Sequence, residues 1–313
     1  MISPFHFLHE AWHDAWQKAA PACGGCDSGR LRSRWQRMHR RSSGVRLLGR
    51  RYCGAECLRQ ALVEILGQIR PTPRRAAITS HRVPLGLLLL SRQQLSAEQL
   101  RSALETQRNA GRGKIGEWLQ QLGFATELDI TTALARQWGC PLLRSEAANL
   151  LADHCPAIPL PLLESFQMMP VELVESNHTL LIAFSGGVDH TALYAIERML
   201  GYHTEPCLVT ASTMRQGLLA LAGIRVSDDL VFDRVEDREC AHIIGSYAAK
   251  LRAQEIFLAR CGKHLWVRFE RAEGRALNIV LTAPESSRPR SSNDSNRVTG
   301  NDATNGIGRR KNL

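Results

Sequence analysis

The chain has 313 residues, 44% of them apolar, and a formal net charge of +10. That much apolar content suits two or three cored domains and excludes a wholly disordered chain. It also leaves no membrane insertion to expect, because the densest apolar run, Leu85 to Leu90, falls short of the roughly 18–20 residues that crossing a bilayer takes. The opening "MISPFHFLHEAWHDAW" has no basic segment followed by an unbroken apolar core, so a cytoplasmic location is expected. In that reducing compartment the nine cysteines are thiols or metal ligands.

"CGGC" at 23–26 and "YCGAEC" at 52–57 give Cys23, Cys26, Cys53 and Cys57, the second pair opening the helix "LRQALVEILGQI". Four thiolates so spaced suit tetrahedral zinc, two ligands from a knuckle and two from a helix start; free cysteines or a redox pair are the competing reading. The arrangement resembles a treble-clef zinc finger, in which the metal is structural and supplies stability that a thin core lacks. His6, His9, His13 and His39 are alternative ligands, whereas Cys140, Cys155, Cys207, Cys240 and Cys261 share no ligand spacing and read as small buried groups. Nine arginines between Arg30 and Arg51 form either a solvated basic face or a phosphate-tracking loop for nucleic acid. Only Trp35 and Tyr52 are there to stack bases. "RPTPRRAAITSHRVP", with three prolines, reads as a linker.

The central region is duplicated. "PLGLLLLSRQQLSAEQLRSALETQ", residues 84–107, aligns with "KIGEWLQQLGFATELDITTALARQ", residues 114–137. Leu85 matches Ile115, Gly86 matches Gly116, Leu89 matches Leu119 and Gln107 matches Gln137. Each copy predicts a short helix, a turn and a longer helix opened by a capping pair, Ser96 with Gln99 and Thr126 with Asp129. Gly123 suits a left-handed turn after the short helix; the first copy has Gln93 there, a poorer fit.

A hairpin around "ESNH" follows, with strands over 171–174 and 179–184, then "SGGVD", a helix to about Leu200, a strand over 206–210 and a helix opened by Ser212. Strand, glycine turn and helix start make an anion cradle, and SGGVDH resembles the SGGxDS phosphate loop of ATP pyrophosphatases. His190 replaces the final serine, and too few strands follow for a nucleotide-binding parallel sheet.

Residues 84–223 resemble the N-terminal domain of type II secretion and type IV pilus assembly ATPases, in the MshEN variant that binds cyclic di-GMP. The resemblance rests on the two 24-residue motifs and on "LLIAFSGGVDHTALYAIERMLGYH", which makes SGGVDH a structural turn. It implies a cyclic di-GMP site built from Leu85, Gly86, Leu89, Gln107, Lys114, Ile115, Gly116, Leu119, Gly123 and Gln137. Glycines would let backbone approach the ligand, leucines would bed a guanine, and the basic residue and glutamines would donate hydrogen bonds. The second copy keeps this set, with Lys114 for arginine; the first has Pro84 in the basic position, Gln93 for glycine, and Arg82 two residues earlier as a substitute. A scaffold that binds only protein is the competing reading.

Residues 236–284 predict a helix striped by Ala241, Ile244, Tyr247, Ala248 and Leu251, and three strands over 255–259, 264–270 and 277–282. They are more weakly similar to the middle domain of the same ATPases. No GxxxxGK[ST] occurs, and "GRGKIG" at 111–116 has Ile115 in the magnesium-binding position. Residues 286–313, including Arg309, Arg310 and Lys311, have almost nothing to bury and are expected to be disordered.

The expected fold is therefore α+β. A basic, zinc-stabilised helical module (1–69) and a linker (70–83) precede the MshEN-like domain (84–223), a tandem helical repeat with a small α/β layer; an αβ unit (225–285) and the tail follow. The expected function is a non-enzymatic regulator or adaptor on secretion or pilus assembly components, with cyclic di-GMP as ligand. The alternative is a zinc-dependent nucleic-acid-binding protein that uses the repeat as a protein scaffold.

Overall fold

A computed structural model describes residues 23–26, 44–69, 82–144, 158–224, 229–273 and 276–284. The tail, most of the linker, Arg30 to Arg41 and the four alternative histidine ligands lie outside the described residues.

A tight hairpin opens the fold: β1 (Val45–Leu47) and β2 (Arg50–Tyr52). Its two turn residues, Leu48 and Gly49, have φ of 50° and 80°, the mirror-image geometry that matches strand twist. Helix α1 (Ala55–Gln68) follows, with Leu58, Leu62 and Leu66 buried on one face at four-residue spacing.

The duplication builds two helix pairs, α2 (Leu85–Ser91) with α3 (Ala97–Ala110), and α4 (Ile115–Gln121) with α5 (Glu127–Trp138). Both expected capping boxes are present: Ser96 and Thr126 accept from the amides of Gln99 and Asp129, whose side chains reach back. The short helices pack crosswise, α2 on α5 and α4 on α3, around Leu85, Leu89, Leu95, Ala103, Leu119, Ile130 and Ala133. After them Gln93 and Gly123 take φ of 59° and 70°, so the glutamine adopts the strained conformation that its glycine counterpart adopts freely.

Beyond the repeat come α6 (Leu160–Phe166), β3 (Met168–Val174), β4 (Thr179–Phe184), α7 (His190–Leu200), β5 (His203–Leu208) and α8 (Ala211–Ile224). β3 and β4 form the expected hairpin, and β5 lies parallel to β4. Helix α8 opens on a borrowed cap: the amide and hydroxyl of Ser212 both donate to the Glu127 carboxylate at 2.7 Å, which ties the layer to the repeat.

The last elements are β6 (Leu230–Phe232), α9 (Asp237–Lys250), β7 (Glu255–Cys261), β8 (His264–Glu270) and β9 (Leu277–Thr282). They do not stand apart from the front of the chain. One six-stranded sheet runs β2-β1-β7-β8-β9-β6, with β1 parallel to β7. Alternate residues face opposite ways along its strands. Ile256, Leu258, Leu265, Val267, Phe269, Ile279 and Leu281 share a core with Leu47 and Tyr52, with Leu58, Leu62 and Leu66 of α1, and with Cys240, Ala241, Ile244 and Ala248 of α9. Ala259, Cys261, Trp266 and Val280 face the other way, into the core of the α/β layer, where α7 packs on β7.

The expected boundaries near residues 69 and 225 therefore separate stretches of chain, while residues 45–68 and 230–282 fold as one unit. β6, whose three residues carry no period-2 signal, was not expected from sequence.

Replacing Gln93 by glycine should raise stability by roughly 0.5–1 kcal/mol, the left-handed strain relieved less the extra entropy of an unfolded glycine. Gly123→Gln should lower it similarly. Thermal denaturation of both variants checks this, and unchanged midpoints would show that neither turn is strained.

Candidate metal centre and ligand face

The four front cysteines meet as their spacing predicts. The thiol sulfurs of Cys23, Cys26, Cys53 and Cys57 all lie within 4.8 Å of one another, with Cys26 to Cys53 at 3.5 Å and Cys53 to Cys57 at 3.8 Å. Tetrahedral zinc with bonds of about 2.3 Å would space its sulfurs at about 3.8 Å, so the cluster fits that ion. The scaffold is a knuckle against a hairpin and a helix start: Gly24 N donates to Arg51 O at 2.9 Å, and Cys53 N donates to the Cys23 thiol at 3.4 Å. Burial, then the adjoining Cys26 thiol, raises Cys53 and pushes Cys57 up to about 12. Four thiols so crowded ionise together only against a cation.

Tyr52 is only 4% exposed, and its ring lies within 3.3 Å of where a Gly24 Cβ would be. It holds the knuckle and presents no face for base stacking, in keeping with the sparse aromatic content of this segment.

The repeat residues divide differently from expectation. Leu89 and Leu119 have no exposed surface, and Leu85 has 9%; these side chains fill the core of the repeat and present no open face to a guanine in this structure. Gly86 and Gly116 are buried too, since a Cβ there would meet Leu100 at 2.6 Å and Ile130 at 3.1 Å. Their role is close helix packing, not approach to a ligand. The glutamines act as reciprocal latches: Gln107 Nε2 donates to Gly113 O at 2.9 Å, just before the second motif, and Gln137 Nε2 donates to Val83 O at 2.7 Å, just before the first. One of the two N–H donors of each amide is thus spent on backbone. Of the expected ligand residues, Lys114 and Gly123 are exposed, and Ile115, Gln107 and Gln137 are half-buried.

A different set gathers at the glycine turn. A Cβ built on Gly186 would lie 3.0 Å from Lys114 Nζ, and one built on Gly187 would lie 2.9 Å from the Trp138 ring. The Arg82 guanidinium stacks on that ring at 3.4 Å from its centroid, a favourable cation–π geometry, and His190 stands 6.1 Å away, tilted. Two cations and an indole therefore border one turn, with Lys114 and His190 exposed and Arg82 and Trp138 half-buried. Sequence reading passed over Trp138 because it falls one residue beyond the second motif, where the first copy has Arg108.

The helix start behind this turn is already occupied. Asp189 caps α7, its carboxylate accepting from Thr191 N at 2.9 Å and Ala192 N at 3.1 Å. A carboxylate in that place repels a phosphate, which agrees with reading SGGVDH as structural.

No protein-family model matches the chain. A stretch of 134 residues, 43% of the chain, is 27% identical to the type IV pilus assembly ATPase PilB of Thermus thermophilus and 25% identical to that of Myxococcus xanthus. The matched stretch spans 15% and 23% of those relatives' lengths. Among solved structures, MshE with cdg aligns at 27% identity over 44% of this chain and 99% of its own, with a TM-score of 0.38. The N-terminal domain of XpsE aligns at 23% identity over 43% and 91%, with a TM-score of 0.34. Within its mixed α+β fold, the chain carries a region similar in sequence to part of type IV pilus assembly ATPases.

Gly187 has φ of 121° and no space for a side chain beside Trp138. Gly187→Ala should cost roughly 1–3 kcal/mol, read as a lowered denaturation midpoint; stability equal to the parent protein would contradict this account of the turn.

Proposed function

We propose that this chain is a non-catalytic cytoplasmic regulator or adaptor of secretion or pilus assembly machinery, that its central domain receives cyclic di-GMP, and that its front cysteines hold a structural zinc ion. The observation that carries the ligand reading is the convergence of Lys114, from the second motif, and Arg82, from ahead of the first, on the turn that Trp138 abuts. Cyclic di-GMP offers two phosphates and two guanines. Two cations suit the former, and the planar guanidinium that Arg82 lays on Trp138 suits stacking by one of the latter. Arg82 takes over from the position that Pro84 fills, so the two half-sites are unequal.

One further feature supports the non-catalytic reading. "GRGKIG" spans the left-handed cap of α3 at Gly111 and the start of the seven-residue helix α4; a phosphate-binding loop instead joins a strand to a helix. Among the described residues no helix is long and apolar enough to cross a membrane, which suits attachment through protein partners. Those partners are of the class that the pilus ATPases named above serve.

Calorimetric titration of cyclic di-GMP into the full chain tests the ligand reading. We expect micromolar or tighter binding, weakened about ten- to a hundredfold by Lys114→Ala and by Arg82→Ala, each of which removes one charge-assisted contact. No heat with ligand near a millimolar would overturn it and leave a protein-binding scaffold.

A further inference from the structure

We infer that the metal at Cys23, Cys26, Cys53 and Cys57 is a clasp that fastens the front of the chain onto the sheet built by its far end. The inference rests on the zinc reading above and goes beyond structural support of the front segment alone.

The front segment has a slender hold on that sheet. Strand β1 gives β7 two registered pairs, Arg46 with Glu255 and Leu47 with Ile256. Its backbone bonds beside them are Arg46 N to Gln254 O at 2.8 Å and Leu48 N to Ile256 O at 3.3 Å. The charge pair between Arg46 and Glu255, at 4.0 Å, is open to solvent on the arginine side, where screening leaves it weak. A hairpin of two three-residue strands has no independent stability. Docking therefore depends on presenting Leu47 and Tyr52 together with Leu58, Leu62 and Leu66, all of which enter one core.

The cysteine cluster is what fixes that presentation. Its ligands come from three separate pieces: Cys23 and Cys26 from the knuckle, Cys53 from just after β2, and Cys57 from the first turn of α1. One ion bound to all four sets the angle between hairpin and helix, and it joins Cys26 to Cys53, 27 positions apart in the chain, an encounter that otherwise costs chain entropy. With the angle set, hairpin and α1 form a rigid lid over Ile256, Leu258 and Leu265, which are at most 2% exposed. With it lost, the lid has only separate, marginal pieces with which to dock. Metal binding at the front thus governs burial some two hundred residues further along the chain, while the repeat keeps a core that shares no residue with the lid.

The test uses the full chain. Zinc content is measured on the purified protein, and hydrogen exchange is then followed before chelation, after chelation and after zinc is restored. We expect one zinc per chain. Removal should speed amide exchange at least tenfold in residues 45–68 and 255–282, leave residues 85–138 unchanged, and be reversed by added zinc. A chain that neither contains zinc nor takes it up overturns the zinc reading and the clasp together. One zinc per chain with unchanged exchange over 255–282 after removal keeps the metal and overturns the clasp. An equal rise over 85–138 overturns the clasp as well, because the metal would then be holding the whole fold.

Discussion

The rest of the structure depends on a sheet that has no face to spare. Strands β7, β8 and β9 bury alternate residues on both sides, one set under α1 and α9 and the other against the α/β layer of the central domain. An antiparallel sheet commonly leaves one face in water. Here neither face can stay dry unless another part of the chain covers it, so the front segment, the centre and the far end are bound into one packing problem. Trp266 illustrates the constraint: it has no exposed surface, and its indole N–H is satisfied by Asn278 Oδ1 at 3.0 Å on the neighbouring strand.

The central domain solves a different problem, the joining of two copies of one motif. Helices pair crosswise between copies, and each terminal glutamine ties the end of one copy to the start of the other. Leu85, Gly86, Leu89, Gly116 and Leu119, which a ligand reading assigns to the pocket, are thus occupied with assembly of the repeat. What remains open to a ligand is the rim, where Lys114, Arg82 and Trp138 meet the turn that the α/β layer supplies.

Legibility in the sequence followed the range of the physics. The capping boxes at Ser96 and Thr126, the left-handed turn shared by Gln93 and Gly123, and the ESNH hairpin are all set by residues a few positions apart, and each was readable. So was the cysteine cluster, because ligand chemistry constrains spacing. The parallel pairing of β1 with β7 was not, since three-residue strands far apart in sequence leave no periodic trace. The glutamine latches were not readable for a related reason: a side-chain donor announces its capacity in the sequence but not which carbonyl folding will bring to it. Trp138 escaped notice because its meaning comes from Gly187 and Arg82, neither of them adjacent to it in the chain.

The central claim is that both ends of this chain make one folding unit. Its most direct test is to place a specific protease site in the linker over residues 70–81, cleave the native protein, and pass the product through a sizing column without denaturant. The account predicts that residues 1–69 elute with the remainder, held by the shared sheet and the face of α1 against α9. Elution of the front segment as a separate species, with its metal still bound, would contradict it.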